Sequence, residues 1–149
     1  MEKKIIYIDM DNTLADYLGM AKLLSVDPNK AKSIPGFFRN LHPMPGAIES
    51  FNLLFKYFDV YILTYAPWSN PQAYVEKIEW VKEYLPIAEK RIIFSHYKNL
   101  NKGDYLIDDS SLNNAEKFEG DIIHIHTSDK FPNWESVIQY IFDKENIKL

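Results

Sequence analysis

Two hydrophobic patterns alternate along the chain. Short apolar runs rich in β-branched and aromatic residues are typical of strands buried on both faces. Longer segments with apolar residues every three or four positions are typical of amphipathic helices. The predicted strands are residues 5–8, 59–64, 91–94, 105–107 and 121–126, and the predicted helices are residues 46–58, residues 71–85 and a last one beginning near Asn133. This order predicts an α/β fold with a largely parallel sheet.

The segment after the first strand has a less regular pattern. The apolar residues of 14–24 have helical spacing, which Asp27-Pro28-Asn29 interrupts. Residues 34–46 are rich in proline and aromatic residues, and their apolar positions have no clear period. We expect residues 17–43 to form a small, mostly helical insertion over the end of the first strand. At 149 residues, the chain is expected to be a single domain, 1–149, that carries this insertion.

Composition and charge narrow the function classes. A net charge of −4 argues against a partner that is a nucleic acid polymer, which usually selects a basic surface. The chain has no cysteine, so disulfides and thiolate metal sites are excluded and oxygen ligands remain. The short apolar run at the N-terminus meets Asp9 at once, and no later stretch is long enough to span a membrane. We therefore expect a cytoplasmic protein without a membrane partner.

Polar residues follow three of the predicted strands. Asp9 and Asp11 follow the first, Thr64 ends the second, and Asp108-Asp109 follow the fourth. The carboxyl ends of parallel strands share one edge, where open α/β sheets bind their ligands. Carboxylates that face one small volume repel each other unless a cation lies between them. Carboxylates with a hydroxyl suit an octahedral Mg²⁺ that also binds phosphate oxygens, so we predict a magnesium site at this edge.

The ordered set of motifs resembles the four-part signature of the haloacid dehalogenase (HAD) superfamily. Its parts here are Asp9-Met10-Asp11-Asn12-Thr13 after a hydrophobic strand, Thr64, a lysine, and Asp108-Asp109. The set extends from residue 5 to residue 109, most of the chain. The resemblance implies a Rossmann-like three-layer αβα sandwich, with a mostly parallel five-stranded sheet and a small helical cap.

The resemblance also implies a role for each motif residue. Asp9 would be the nucleophile that forms an aspartyl-phosphate. Asp11 would be the general acid and then the general base, and its backbone carbonyl would bind Mg²⁺. Thr64 would hydrogen-bond the phosphoryl oxygens. Asp9 and Asp108 would be metal ligands, and Asp109 would hold a metal-bound water or the lysine.

The motif lysine, which would neutralise charge on the transferring group, has two candidates. Lys98 and Lys102 both precede Asp108. The family's register favours Lys98, because Lys102 lies beside the turn at Gly103, where lysines are usually solvated. Lys77, on the preceding helix, could approach the phosphate, but we interpret it as part of a solvated helix face.

Further motifs resemble the 5′(3′)-deoxyribonucleotidase family. They are Ala15-Asp16-Tyr17, Gly36-Phe37-Phe38, Leu41-x-Pro43-x-Pro45-Gly46-Ala47 and Leu106-Ile107-Asp108-Asp109. In that family aromatic side chains hold the pyrimidine base; by position these would be Tyr17 and Phe38, with Phe37 as a neighbouring candidate. Phe37 and Phe38 could equally well only pack the cap onto the core. Tyr65 could offer a backbone amide or a hydroxyl to the phosphate.

Two positions depart from the family pattern. Tyr65 stands where a small serine is common, and Asn12 stands where glycine is common, although asparagine tolerates the same left-handed backbone. The insertion is also shorter than the cap of the family's eukaryotic members. These departures concern the choice of substrate more than the phosphatase chemistry.

These observations predict a Mg²⁺-dependent phosphomonoesterase that hydrolyses pyrimidine deoxyribonucleoside monophosphates through an aspartyl-phosphate. One alternative is a phosphatase of the same chemistry for a sugar phosphate or another small phosphoester. Others are transfer of the phosphoryl group to a second substrate, and a non-catalytic regulatory protein on the same fold. The expected partner is a small nucleoside monophosphate, and a homodimer is left open.

Overall fold

The computed structural model describes residues 2–149. Five strands form one sheet, in which every pair is parallel. They are β1 (Ile5–Ile8), β2 (Asp59–Thr64), β3 (Ile92–Phe94), β4 (Tyr105–Asp108) and β5 (Asp121–His124), in the spatial order β3-β2-β1-β4-β5. The five predicted strands are confirmed, although β5 ends two residues earlier than predicted. Because β1 is central, its residues Ile6 and Ile8 are fully buried.

Five helices accompany the sheet. They are α1 (Tyr17–Leu23), α2 (Pro28–Ala31), α3 (Ala47–Tyr57), α4 (Gln72–Tyr84) and α5 (Trp134–Lys144). The predicted start of the last helix is confirmed, because Asn133 caps α5. Its side chain accepts a hydrogen bond from the Ser136 backbone, and the Ser136 hydroxyl lies 3.3 Å from the Asn133 backbone nitrogen, completing a capping box.

The inner face of α4 differs from the predicted one. In the sequence, the apolar residues at helical spacing in residues 71–85 predict an inner stripe of Tyr74, Ile78, Val81 and Leu85. Val81 and Leu85 are buried as predicted, but Ile78 is 38% exposed. The residues of α4 that are buried are Ala73, Glu76, Lys77, Trp80 and Val81. A charged residue can occupy a buried face when hydrogen bonds and an opposite charge satisfy it. Such partners are distant in sequence, so the hydrophobic period alone could not reveal them.

The two faces of the sheet are covered unequally. On one face, Ile6 and Ile8 of β1 belong to a large core that includes side chains of α3, α4 and α5. On the other face, Tyr7 packs in a smaller cluster with Leu106 and Phe118. There the connections 95–104 and 109–120 contain only the short 3-10 turns Lys98–Leu100 and Ala115–Lys117. The predicted α/β class is confirmed, and one outer layer consists of these turns.

The segment predicted as an insertion, residues 17–43, contains α1, α2 and a series of turns, so it is less helical than predicted. Its two ends are held together beside the end of β1. The Asp16 backbone N–H donates to the His42 carbonyl at 2.8 Å, and Ala15 forms an antiparallel bridge with Pro43. The segment therefore leaves and rejoins the sheet domain at one place. Across residues 2–149, none of the helices combines the length and apolar character needed to cross a membrane.

Candidate active site

Three strand ends place polar side chains together. Asp9 follows β1, Thr64 ends β2 and Asp108 ends β4, and all three residues are buried. Because β1 lies between β2 and β4, the carboxyl ends of these strands are neighbours. The sheet therefore brings together residues that are about 100 positions apart in the sequence, from Asp9 to Asp108.

A lysine lies between two of the carboxylates. The Lys98 ammonium is 2.8 Å from Oδ1 of Asp9 and 2.7 Å from Oδ2 of Asp108, and the residue is 2% exposed. Burial opposes the positive charge, but the two carboxylates outweigh it and raise the pKa of Lys98. Lys102, the other candidate, is exposed and forms an ion pair with Glu119 at 2.6 Å. Of the two, the structure brings Lys98 to the strand ends.

The same lysine keeps Asp9 ionised. Burial disfavours the charge on Asp9, but Lys98 and a hydrogen bond with Asp109 outweigh it and lower the pKa of Asp9. The Thr13 hydroxyl, four residues along the chain, is 3.2 Å from Oδ2 of Asp9. Both oxygens of Asp9 therefore have a donor, and an ionised carboxylate with a fixed orientation suits a nucleophile.

Three carboxyl groups form a candidate metal site. Oxygen atoms of Asp9, Asp108 and Asp109 all lie within 4.8 Å of one another. Burial and the charge on Asp9 raise the pKa of Asp108 to about 7 and that of Asp109 to about 9. Because like charges in one small volume disfavour ionisation, a cation bound here would stabilise all three carboxylates. The oxygen donors match the ligands that Mg²⁺ prefers.

Lys77 corrects one expectation. It was interpreted as part of a solvated helix face, but the residue is fully buried. Its ammonium donates to Oδ2 of Asp11 at 3.0 Å, to the Thr64 hydroxyl at 2.8 Å and to the Tyr65 carbonyl at 2.7 Å. Its three protons thus have three acceptors. In the sequence, Lys77 has helical spacing with Ala73 and Trp80, but only the structure shows that these two residues face the interior.

Asp11 has an environment unlike that of Asp9. Burial raises the pKa of Asp11 even though Lys77 opposes this. Within residues 2–149, its second oxygen, Oδ1, is buried and has no hydrogen-bond partner. Asn12 follows in the left-handed region with φ 61°, and its side chain accepts a hydrogen bond from the Leu18 backbone at 2.9 Å. This turn connects Asp11 to the start of α1 and so to the insertion.

An open cleft of about 240 Å³ lies at this edge. Its floor includes Asp9, Asp11 and Lys98, and the insertion contributes one wall. Residues of the insertion that line the cleft are Tyr17, Leu18, Pro28, Asn29 and Lys32. The cleft thus joins charged groups at its floor with a wall that is partly aromatic and apolar and also carries Asn29 and Lys32, which suits a small molecule with one charged end.

The four predicted substrate contacts divide into two pairs. Tyr17 and Tyr65 line the cleft. The Tyr17 hydroxyl donates to the Pro28 carbonyl at 2.6 Å, and its ring packs edge-on against Phe37 with centroids 4.8 Å apart. Phe37 and Phe38 are 2% and 1% exposed and are not brought to the cleft surface. They pack between the insertion and the core, as in the alternative interpretation. There the rings of Phe37 and Phe38 fill the space next to the Tyr17 ring.

Thr64 also lies beneath the cleft surface. It is fully buried, and its hydroxyl accepts from Lys77 and lies 3.2 Å from the Tyr65 carbonyl. The structure therefore connects Thr64 to Lys77 and Asp11 in one hydrogen-bonded group. Its predicted contact with phosphoryl oxygens stays a prediction.

The chain is similar in sequence to known nucleotidases. The family model described as "5' nucleotidase, deoxy (Pyrimidine), cytosolic type C protein" matches residues 25–145. A protein of Vibrio phage KVP40, provisionally named a 5'(3')-deoxyribonucleotidase, is 47% identical over 146 residues, which cover 94% of this chain and 85% of the relative. The 5'(3')-deoxyribonucleotidase of Bacillus subtilis is 30% identical over 168 residues, covering 91% of this chain and 96% of the relative.

The matched region includes most of the insertion, the sheet beyond β1 and the Lys98 and Asp108 positions, and the relatives extend the match over nearly the whole chain. The motifs at the strand ends, the parallel sheet and these matches point to the same group of proteins. The chain therefore belongs to the 5'-nucleotidase, deoxy (pyrimidine), type C family of HAD-like phosphomonoester hydrolases.

Proposed function

We propose that the protein is a Mg²⁺-dependent deoxyribonucleotidase that hydrolyses pyrimidine deoxyribonucleoside monophosphates. One observation carries the proposal: Asp9 and Asp11 lie two residues apart at the end of β1, each pairs with a buried lysine, and their surroundings shift their pKa values in opposite directions, that of Asp11 upward because burial outweighs Lys77. Lys98 holds Asp9, whose pKa is lowered, and Lys77 holds Asp11, whose pKa is raised. Environments that move two pKa values apart identify a nucleophile or base and an acid.

The first step follows from these states. An Asp9 oxygen attacks phosphorus, and the bond from phosphorus to the ester oxygen of the substrate breaks. Asp11 donates its proton to that departing oxygen, so the nucleoside leaves as an alcohol. The buried Oδ1 of Asp11 has no partner among the described residues, which leaves it available for this proton. The product on the protein is an aspartyl-phosphate at Asp9.

The second step regenerates the enzyme. Asp11, now ionised, accepts a proton from water while the water oxygen attacks phosphorus. The bond between phosphorus and the Asp9 oxygen breaks, inorganic phosphate is released and Asp9 is again a carboxylate. Lys98 stabilises negative charge on Asp9 and on the phosphoryl oxygens throughout, a contribution of a few kcal/mol for groups that are already in place. We assign Thr64 a supporting contact to the phosphoryl group, as the family motif implies.

The residues present fit a divalent metal. Asp9 and Asp108 would hold Mg²⁺ through side-chain oxygens and Asp11 through its backbone carbonyl, while Asp109 would support a bound water. When bound, Mg²⁺ neutralises charge on the phosphoryl group and orients it. The proximity of three carboxyl groups, two of them with raised pKa values, supports this assignment.

Residues 17–43 act as the cap in this proposal and determine which phosphoester is accepted. Tyr17 offers a ring that its hydroxyl and Phe37 hold in place, and a base stacked on such a ring gains about 1–3 kcal/mol. Tyr65 offers a second aromatic wall beside the reacting group. The names of the relatives support a deoxyribonucleotide over other phosphoesters. We place this activity in the cytoplasm, where nucleoside monophosphates are available.

A substrate panel tests the proposal. Phosphate release is measured with dUMP, dTMP, dCMP, dAMP, UMP and 2-deoxyribose 5-phosphate, each with Mg²⁺ and with EDTA. We expect the highest kcat/KM for a pyrimidine deoxynucleotide, loss of activity in EDTA, and no turnover by Asp9→Asn. Asp129→Asn, the same change at an exposed site, is the control. Equal kcat/KM for deoxyribose phosphate and dUMP would favour a sugar phosphate phosphatase instead.

A further inference from the structure

We infer that Phe38 and Glu76 are positioning residues, which keep the Lys77 ammonium shielded from solvent so that it orients Asp11. This inference deepens the proposed function and rests on it, because it is Asp11 that the proposed mechanism uses as acid and base. In this inference Phe38 acts on the reaction centre through Lys77, whereas the family resemblance implies that Phe38 holds the base of the substrate.

The surroundings of Lys77 are closed on two sides by aromatic rings. Its ammonium is 5.0 Å from the centroid of the Phe38 ring and 5.7 Å from that of Tyr65. Ring faces attract a cation and exclude water. The three protons have acceptors on Asp11, Thr64 and Tyr65, and Lys77 is fully buried, so its ammonium is shielded from solvent that would compete for these bonds. The ammonium is thus held in one position.

The Phe38 ring is in turn held by a buried carboxylate. Glu76 is 8% exposed, and its Oε1 accepts hydrogen bonds from the backbone N–H of Phe38 at 3.1 Å and of Arg39 at 3.4 Å. Its Oε2 accepts from the backbone N–H of Gly36 at 3.1 Å. A buried charge is costly unless it is satisfied, so these three donors and Glu76 require one another. The turn at 36–39 is therefore tied to α4.

The lysine and the carboxylate that holds the Phe38 ring belong to the same turn of one helix. Glu76 and Lys77 are consecutive residues of α4, so the element that carries the lysine also carries the anchor of the ring that covers it. One turn further, the indole N–H of Trp80 donates to the Leu41 carbonyl at 2.8 Å and holds the end of the same segment. Movement of residues 36–41 away from α4 would break these bonds, admit water to Lys77 and release Asp11.

The inference makes a kinetic distinction. If Phe38 recognised the base, its loss would raise KM for a nucleotide and leave a substrate without a base unaffected. If it holds Lys77 in place, its loss lowers kcat for both, because both substrates need Asp11 to protonate an alkoxide. The comparison of dUMP with 2-deoxyribose 5-phosphate separates the two roles.

The first experiment measures kcat and KM for both substrates in Phe38→Leu, which keeps an apolar side chain without a ring, and in Glu76→Gln, which lacks one acceptor. We expect kcat to fall by the same factor for both substrates, on the order of tenfold, since small displacements of a catalytic group reduce rates to this extent or more. Glu79→Gln makes the same charge change at an exposed position of α4 and should match the wild type. An effect confined to KM for dUMP, or an equal loss in Glu79→Gln, would overturn the inference.

The second experiment does not depend on activity. Lysine ammonium groups that are shielded from water give observable ¹⁵N–¹H signals, and Lys77 and Lys98 are both buried. Lys77→Ala assigns the Lys77 signal. We expect Phe38→Leu and Glu76→Gln to lose that signal and keep the Lys98 signal, with both kept in Glu79→Gln. A Lys77 signal that persists in both variants would contradict the inference, and a wild type that hydrolyses no phosphomonoester would instead overturn the proposed function.

Discussion

Asp11 and Lys77 lie 66 positions apart in sequence and form an ion pair of 3.0 Å at the edge of the sheet. The lysine is fully buried, whereas the Asp11 side chain is 17% exposed. The pair therefore connects the interior of the protein to the cleft. It holds Oδ2 of Asp11 in a fixed direction, while Oδ1 has no hydrogen-bond partner within residues 2–149.

This pair predicts a dependence on the leaving group. Lys77→Met removes the charge that orients Asp11, so protonation of the leaving group is impaired. We expect kcat to fall by roughly 10²-fold for dUMP, the lower end of what general acid catalysis contributes. For p-nitrophenyl phosphate the fall should be smaller, because p-nitrophenolate leaves without a proton. The measurement is kcat for both substrates; equal losses would mean that Lys77 does not act through the acid.

The lysine beside Asp9 predicts a contrast between two substitutions. Lys98→Met leaves Asp9 and Asp108 without their shared cation and should reduce kcat/KM by at least about 10²-fold, since the lost group stabilises developing charge in a buried site. Lys102→Met removes an ion pair with Glu119 that is exposed to solvent, contributes little to stability and does not touch the site. Its activity should be unchanged. A reversed order of the two effects would make Lys102 the motif lysine.

The raised pKa values of Asp108 and Asp109, about 7 and about 9, predict how pH acts on the metal-free protein. Between about pH 4 and pH 9 the folded state binds more protons at these groups than the unfolded state, so the free energy of unfolding falls as pH rises. Asp9 has a lowered pKa, so it affects the pH dependence of the free energy of unfolding only below this pH range. We expect the Tm measured in EDTA to decrease from pH 5 to pH 9.

Mg²⁺ should reverse this trend. The metal requires ionised carboxylates, so its binding releases protons and becomes tighter as pH rises. The increase in Tm on adding Mg²⁺ should therefore grow from pH 6 to pH 9. Calorimetry in buffers of different ionisation enthalpy would count the released protons. Asp109→Asn removes the group with the higher pKa, so in this variant the Mg²⁺-induced increase in Tm should change less with pH near pH 9. If the pH dependence of this increase is the same as in the wild type, Asp109 is not its source.

The fixed ring of Tyr17 predicts a change in substrate preference. Tyr17→Ala should raise KM for dUMP by about tenfold, because a stacked base gains about 1–3 kcal/mol, and should leave KM for 2-deoxyribose 5-phosphate unchanged. Tyr17→Phe keeps the ring and loses only the hydrogen bond to the Pro28 carbonyl, so it should lie close to the wild type. An equal change in KM for both substrates would remove Tyr17 from base recognition.

The strands and the acidic residues at their ends could be predicted because both are local features. Apolar runs such as Ile5–Ile8 are buried on both faces, and a carboxylate such as Asp9 ends such a run where burial becomes costly. The start of α5 was equally local, since the Asn133 side chain and Ser136 complete the cap within one turn. Lys98 could be chosen over Lys102 because its spacing from Asp108 follows a motif.

The roles of Lys77, Glu76 and Phe38 could not be predicted in this way. A prediction from hydrophobic periodicity places charged residues on the solvated face of a helix. Lys77 and Glu76 are nevertheless buried, because partners from segments distant in sequence satisfy their charges. For Phe38, the sequence supported both contact with a base and packing under the cap, and the structure places the ring over Lys77.

By itself, then, the sequence determined the positions of the strands along the chain, the acidic residues at the strand ends and the family, because these depend on local polarity and on the spacing of motifs. Only the tertiary structure decided which lysine holds which aspartate and which aromatic rings reach the cleft. The physical reason is that a buried charge is stabilised by its partners, and the fold alone brings those partners within hydrogen-bonding distance.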